Sequence, residues 1–338
     1  MIKTPLKFIS LLSGAVLFAS SGFAQAVATD PVGYVTATVY GNGGSGQRLT
    51  LVSPSFHSGS VASGVVSAST SSSVTISGTL ESGAYDGGGY YIEVTDSNGV
   101  GYWTDIVSNS TDTLVVNDDL SSFIANGDQF HVREHLTIAG LFGAANEAGL
   151  QAGGSVGAAD NVQIISYSGG VSQNLTFWYS NVSGFEGWFD PSFNPSGDAI
   201  VAPHEGVIVV RKVAGDVDLV FSGTVRTTDI NYPVEEGLNV MAVPSAATKT
   251  LDTSGLASAI AAGGSVGAAD NIQIIGSDGN NYTYWYSNVA GFEGWFDPSF
   301  NPSGNVELTP GISFILTRKA GNGGAVNVAM SSTLPILP

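Results

Sequence analysis

The sequence predicts an all-β fold with a few short helices, organised as two related β units with a small β-barrel or sandwich inserted into the first. Three observations lead there. Charged residues are only 11% of the chain while glycine supplies 45 of 338 residues, a balance that suits many strands joined by Gly, Ser, Asn and Asp turns. A long block of sequence occurs twice. Between the matching openings of the two copies lies a run of short alternating segments that only the first copy contains.

The chain begins with what reads as an export signal, residues 1–26. Lys3 and Lys7 form a basic start, residues 8–19 an apolar run, and Ala24-Gln25-Ala26 the small-x-small pattern of a cleavage site. Cleavage is expected after Ala26, or else after Ala28. The apolar run is shorter than the roughly 20 residues that span a bilayer. The C-terminal residues 333–338 are too few and include two prolines, so no membrane span is expected in the mature chain. The expected location is the cell surface or the exterior, with the periplasm as the other compartment.

Loss of Lys3 and Lys7 with the signal leaves 8 basic residues against 28 acidic ones, a formal charge of −20. Such a surface excludes nucleic acid and anionic lipid, which need a basic footprint. The chain has no cysteine, so neither disulfides nor thiolate chemistry enter.

The duplication comes in two blocks. Residues 153–165 return as 263–275 with only Val162 changed, to Ile272. Residues 178–197 return as 285–304 with only Ser183 changed, to Ala290. The offset drops from 110 to 107 between the blocks, which marks a hairpin loop there. Each copy predicts a short glycine-stopped helix over residues 141–150 and 256–262. Strands are expected over 162–165, 175–179, 206–212 and 217–221, and in the second copy over 311–319 and 326–330. Equal spacing of Gly33 to Pro54 and Gly223 to Pro244 makes residues 27–55 the opening strands of the first unit. The expected division is therefore 27–55 and 136–222 for unit one, 56–135 for the insertion and 223–338 for unit two. Six strands are expected in the insertion, with turns at Ser97-Asn98-Gly99 and Asn126-Gly127-Asp128.

The mature start Thr29-Asp30-Pro31-Val32-Gly33-Tyr34-Val35-Thr36 and the segment His135-Leu136-Thr137-Ile138-Ala139-Gly140-Leu141-Phe142 resemble a family of exported proteins from Verrucomicrobia and relatives, often present as many paralogues. The likeness covers most of the mature chain. It implies an envelope or extracellular location and no assigned activity.

The candidate site is the duplicated loop. Trp188 and Trp295 stand between glycines and aromatics, which makes them better candidates for exposure than Trp178, Phe189 and their copies, which read as core; so many aromatics in so few residues also fit a packed loop, and the sequence leaves the two open. Phe185, Phe292, Glu186 and Glu293 complete a possible ligand surface, since flat rings beside polar groups stack on sugars. Asp190, Asn194 and Asp198, with Asp297, Asn301 and Asn305, offer hard oxygens for calcium; the competing reading is plain turn chemistry. Glu186 and Asp190, repeated as Glu293 and Asp297, form the paired carboxylates a hydrolase would use, but they sit four apart in an aromatic, Gly- and Pro-rich loop. His131 and His135 lie on a strand without partners for zinc. These readings favour an exported structural or interaction protein without catalysis, whose partners are other envelope or matrix components, polysaccharide or further copies of itself. A glycan-binding module is the alternative, and a hydrolase the second alternative.

Overall fold

The computed structural model describes residues 30–332 apart from 45, 97 and 98. The signal segment, residues 333–338 and most of the Ser97-Asn98-Gly99 turn lie outside the described residues. The chain is almost all β, as its composition predicts, and no described helix is long and apolar enough to cross a membrane.

Unit one opens with β1 (Val32–Val39), β2 (Arg48–Val52) and β3 (Phe56–His57). The insertion follows as β4 (Ser60–Thr70), β5 (Ser73–Ser77), β6 (Tyr90–Val94), β7 (Trp103–Asn109), β8 (Thr113–Val116) and β9 (Gln129–Glu134). These six close into a barrel in the order β4-β5-β8-β7-β6-β9. Its inward positions, among them Val66, Ile92, Ile106, Leu114, Phe130 and Val132, are fully buried, so the barrel is a packed core and not a pore. A barrel also removes the free sheet edges of so short a β module.

Unit one resumes with β10 (Leu136–Thr137), α1 (Ile138–Phe142), β11 (Asn161–Ser168), β12 (Val171–Val182), β13 (Phe185–Phe189), β14 (Ile200–Val201), β15 (Val207–Arg211) and β16 (Val217–Val225). Unit two contains β17 (Ile230–Val234), β18 (Gly237–Ala242), β19 (Lys249–Thr250), a 3-10 turn (Leu256–Ser258), β20 (Asn271–Ile275), β21 (Asn281–Ser287), β22 (Gly294–Phe296), β23 (Glu307–Leu308), β24 (Ser313–Arg318) and β25 (Val326–Met330). The units match strand for strand except for β3, which pairs with β16 and has no counterpart among the described strands of unit two. The sheet β13-β12-β11-β15-β2 has its counterpart in β22-β21-β20-β24-β18. The pairs β1–β16 and β10–β14 correspond to β17–β25 and β19–β23.

Two details of the expected correspondence are corrected. Gly223 does not open unit two. It lies inside β16, facing Gly33 across the β1–β16 ladder, and the first strand of unit two is β17. The match of β2 to β18 is also one residue out of step. Leu49 faces Val210 as Leu238 faces Thr317, so Leu49 corresponds to Leu238 and not to Asn239. Spacing alone could not fix a register that cross-strand pairing sets.

The helices are shorter than predicted. Thr137 caps α1 by accepting the Gly140 N–H, and the helix stops at Gly143 (φ 87°). Asn146 (φ 58°) and Gly149 (φ 72°) then hold left-handed conformations that no helix can include. The length change between the copies falls in the β11–β12 and β20–β21 hairpin turns, as expected.

One buried carboxylate accounts for much of the first repeated block. Asp160 accepts from Arg211 Nη1 at 2.6 Å and from the backbone N–H groups of Gln151 and Lys212, both at 2.8 Å. Asp270 repeats this with Arg318 Nη1 (3.1 Å), Ala261 N (2.9 Å) and Lys319 N (3.0 Å). With no disulfide to bind strand to loop, this pair does so in each unit.

The units meet about a pseudo-twofold axis. Glu205 bridges Met241, and the equivalent Ile312 bridges Val52, the equivalent of Met241. Leu51, Ile208 and Ile165 of unit one share an interface core with their counterparts Val240, Ile315 and Ile275. Such reciprocity defines an isologous contact, here formed within one chain.

Candidate functional site

The repeated loop forms the hairpin β12–β13 and the turn after it. Gly184 (φ 81°) permits the tight reversal, and Glu186 Oε2 accepts the Gly184 N–H at 2.9 Å. Glu293 accepts from Gly291 at the same distance. Each glutamate thus braces its own turn.

Asp190 organises the next turn. Its Oδ1 accepts from Ser192 N (2.8 Å) and Asn194 N (2.9 Å), and its Oδ2 from Asn194 Nδ2 (2.8 Å). Asp297 makes the same three bonds to Ser299 and Asn301. The Asn194 and Asn301 amides are the main reason that both carboxyls titrate below their ordinary value. Within these turns Phe193 and Phe300 adopt φ of 63° and 61°, a left-handed conformation that costs a bulky residue about 1–2 kcal/mol. The return is a ring held edge-on against a buried tryptophan. Phe193 lies 5.0 Å from Trp178 at 83°, and Phe300 lies 5.2 Å from Trp285 at 85°.

Trp188 and Trp295 are not displayed. They are 4% and 2% exposed, each packed edge-on against a tyrosine of the neighbouring strand, Tyr179 or Tyr286, at 5.4 Å. Their strands alternate faces, and this position turns inward. Trp188 Nε1 donates to Gly143 O at 2.8 Å, whereas Trp295 Nε1 is buried with no protein partner. Trp178 and Trp285 are fully buried core, as predicted.

The exposed rings are the four phenylalanines. Phe185 and Phe292 are 62% and 63% exposed, and Phe193 and Phe300 are 47% and 54% exposed. In unit two, Phe292, Phe300 and Glu293 border one groove with Asp252. A second groove, beside Tyr282 and Tyr284, gathers Asp297, Asn301 and Asn305. Glu293 and Asp297 therefore face different grooves. Asp198 is exposed at the corresponding end of the first loop. No three His, Asp or Glu side chains gather to hold a metal among the described residues, and the Asp190 and Asp297 oxygens already serve their own turns.

Two features escaped sequence reasoning. One is the display of Phe193 and Phe300, signalled only by the Asp-Pro-Ser-Phe-Asn-Pro pattern that turns the backbone left-handed. The other is a polar cleft built by Trp103, Asp105, His204, Glu205 and Glu235, which come from three different modules. No protein-family model, curated protein or solved structure matches the chain.

Proposed function

We propose that this is an exported surface or extracellular interaction protein without a catalytic role, and that its contact surface is the duplicated phenylalanine display. The observation that carries the reading is the matched exposure of Phe185 with Phe193 and of Phe292 with Phe300 on rigid, hydrogen-bonded turns. Large apolar rings held out in water, two of them (Phe193 and Phe300) on a strained backbone, suit a partner surface better than an unoccupied one. Two equivalent displays on one chain give a bivalent contact, so weak single sites reinforce each other. Export is supported by the basic start and apolar run of residues 1–26. The net acidity favours a neutral or cationic partner.

A structural role, in which copies of the chain or other matrix components meet through these loops, is the first reading. A neutral polysaccharide is the second, favoured by the groove where Tyr282 and Tyr284 lie beside Asp297, Asn301 and Asn305. Sedimentation velocity of the mature protein over a range of concentrations, with affinity electrophoresis through gels holding neutral polysaccharides, tests both. The reading expects wild type to self-associate or to be retarded, and the Phe185→Ser/Phe292→Ser double variant to lose that property while melting as wild type does. A monomer that no polysaccharide retards, or a double variant that behaves as wild type, would overturn it.

A further inference from the structure

Four carboxylates are buried among the described residues: Glu93, Asp160, Glu205 and Asp270. Three are held by guanidinium groups, Glu93 by Arg133 and Arg226, Asp160 by Arg211 and Asp270 by Arg318. Glu205 is the exception. Its Oε2 accepts the Ala202 N–H at 2.8 Å, and the Ser166 hydroxyl is its side-chain partner, but no Lys, Arg or His among the described residues forms an ion pair with it. A carboxylate withdrawn from water without a counter-charge is costly and is retained where something else supplies the charge.

Glu205 lines a cleft of about 230 Å³ where the barrel and the two units meet. The barrel contributes Trp103 and Asp105, unit one contributes His204 with Glu205, and unit two contributes Glu235. Neither Lys nor Arg lines it. His204 cannot neutralise the acids at neutral pH, because burial lowers its pKa to about 4. Its ring lies 5.4 Å from that of Trp103, tilted by 30°, so the two form an aromatic wall. Trp103 Nε1 and His204 Nδ1 are buried without a protein partner.

The pseudo-twofold axis supplies an internal control. The equivalent cleft on the other side of the axis is lined by Ile275, Thr309, Ile312 and Thr50, which correspond to Ile165, Ala202, Glu205 and Asn239. It contains no acidic, histidine or tryptophan side chain. Ile312 stands where Glu205 does, and Gly311 where His204 does. The fold is therefore satisfied by a neutral residue at this position, and the acid on one side alone calls for another explanation. The barrel, inserted in unit one only, adds Trp103 and Asp105 to that same side.

We propose that the cleft of Glu205, Asp105 and Glu235 against Trp103 binds an alkylammonium group. An ammonium supplies the missing positive charge, donates hydrogen bonds to carboxylates, and is attracted to an aromatic face. Burial first, and Asp105 second, raise the Glu205 pKa to about 7, so the empty cleft holds a proton that an ammonium displaces. Binding therefore strengthens as pH rises through neutrality. The other titratable groups facing the cleft are Asp105, Glu235, His204 and Tyr167, with His135 behind Asp105 at 2.9 Å.

Calorimetric titration of the mature protein tests this, using cadaverine, Nα-acetyl-lysine methylamide, 1-pentanol and calcium chloride as probes. One or both amines should bind at a single saturable site at about pH 8 and at least about tenfold more weakly at about pH 5. Glu205→Gln and Glu205→Ile should each lose at least about tenfold in affinity, and Glu307→Gln, an exposed carboxylate outside the cleft, should lose none. The Ile variant copies the residue that the fold already accepts at the equivalent position, so a folding failure would not mask the answer. Tighter binding of cadaverine identifies free amines as the source, and tighter binding of the lysine derivative a lysyl side chain of a partner. Absence of saturable amine binding at about pH 8, amine binding undiminished in both Glu205 variants, or equal binding of 1-pentanol or calcium at this site would overturn the proposal.

Discussion

Gly206 and Ser313 hold the same position in the two units and lie against each other, so the pseudo-twofold axis passes between them. A Cβ added at Gly206 would fall 2.3 Å from the Ser313 Cβ, closer than any pair of carbons tolerates. One of the two equivalent positions must lack a side chain for the units to approach. Gly206→Ala should destabilise by about 1–3 kcal/mol, the usual effect of overpacking a tight contact. Gly206→Ala combined with Ser313→Gly moves the gap across the axis and should recover much of that loss. Thermal melts of both variants check it; equal loss in single and double variants would show that the contact does not limit the approach.

The two tryptophans that turn inward differ in one hydrogen bond. Truncating either to alanine should cost roughly 3–5 kcal/mol. Trp188→Phe also removes one of the two donors to Gly143 O, which keeps only the Asn146 N–H, whereas Trp295→Phe removes an N–H that has no partner. The first should therefore cost about 1 kcal/mol more than the second, beyond the shared loss of volume. Chemical denaturation of the two variants measures the difference.

A buried charge cluster joins the barrel to the units. Glu93 Oε2 accepts Arg133 Nε at 2.7 Å, and its Oε1 is bonded to Arg226 of the link between units. Burial alone would raise the Glu93 pKa, but Arg226 and then Arg133 hold it down at about 2. A folded pKa below the unfolded value means stability that is present above the ordinary 4.5 and lost as pH falls toward 2. His57 acts in the same direction, since burial and then Arg226 and Arg133 keep it neutral down to about pH 3. Through these two groups stability should decline in acid, with the net loss of the whole protein concentrated between 4.5 and 2, below the range where Glu205 compensates. Glu93→Gln should cost about 3–5 kcal/mol at neutral pH by leaving two buried guanidiniums uncompensated. Urea midpoints across this pH range provide the readout.

Glu205 has the opposite sign. Its folded pKa of about 7 lies above the ordinary 4.5, so its contribution is complete below 4.5 and lost as pH rises through 7. Between pH 5 and pH 8 wild type should lose on the order of 3 kcal/mol through this group. Glu205→Gln should flatten that alkaline slope without altering the acid limb. Melting temperatures that fall equally in wild type and variant would contradict it.

The fold was legible because its signals are local. Strand alternation, glycine turns and a repeated block can be read along the chain, and the insertion showed as strands in one copy without a counterpart in the other. Gly223 misleads because equal spacing suggests equivalent position, whereas Gly33 and Gly223 are partners across a ladder. Trp188 misled because flanking glycines suggest a loop, while the strand beside Tyr179 turns the ring inward. The cleft around Glu205 was invisible for a different reason. Asp105, Glu205 and Glu235 belong to no motif, and only tertiary folding brings them together.

The barrel leaves and rejoins unit one through neighbouring strands, with Ser60 opposite Arg133. Its ends are therefore already within one strand spacing of each other, and carrying it adds little loop-closure entropy to the host. Any compact module whose termini emerge side by side could be grafted at the same place without redrawing the host sheets. What such a graft would have to replace is the carboxylate that Arg226 expects to meet. A second requirement comes from Asn231, whose backbone N–H and Nδ2 donate to the barrel's Gly101 and Val100 carbonyls.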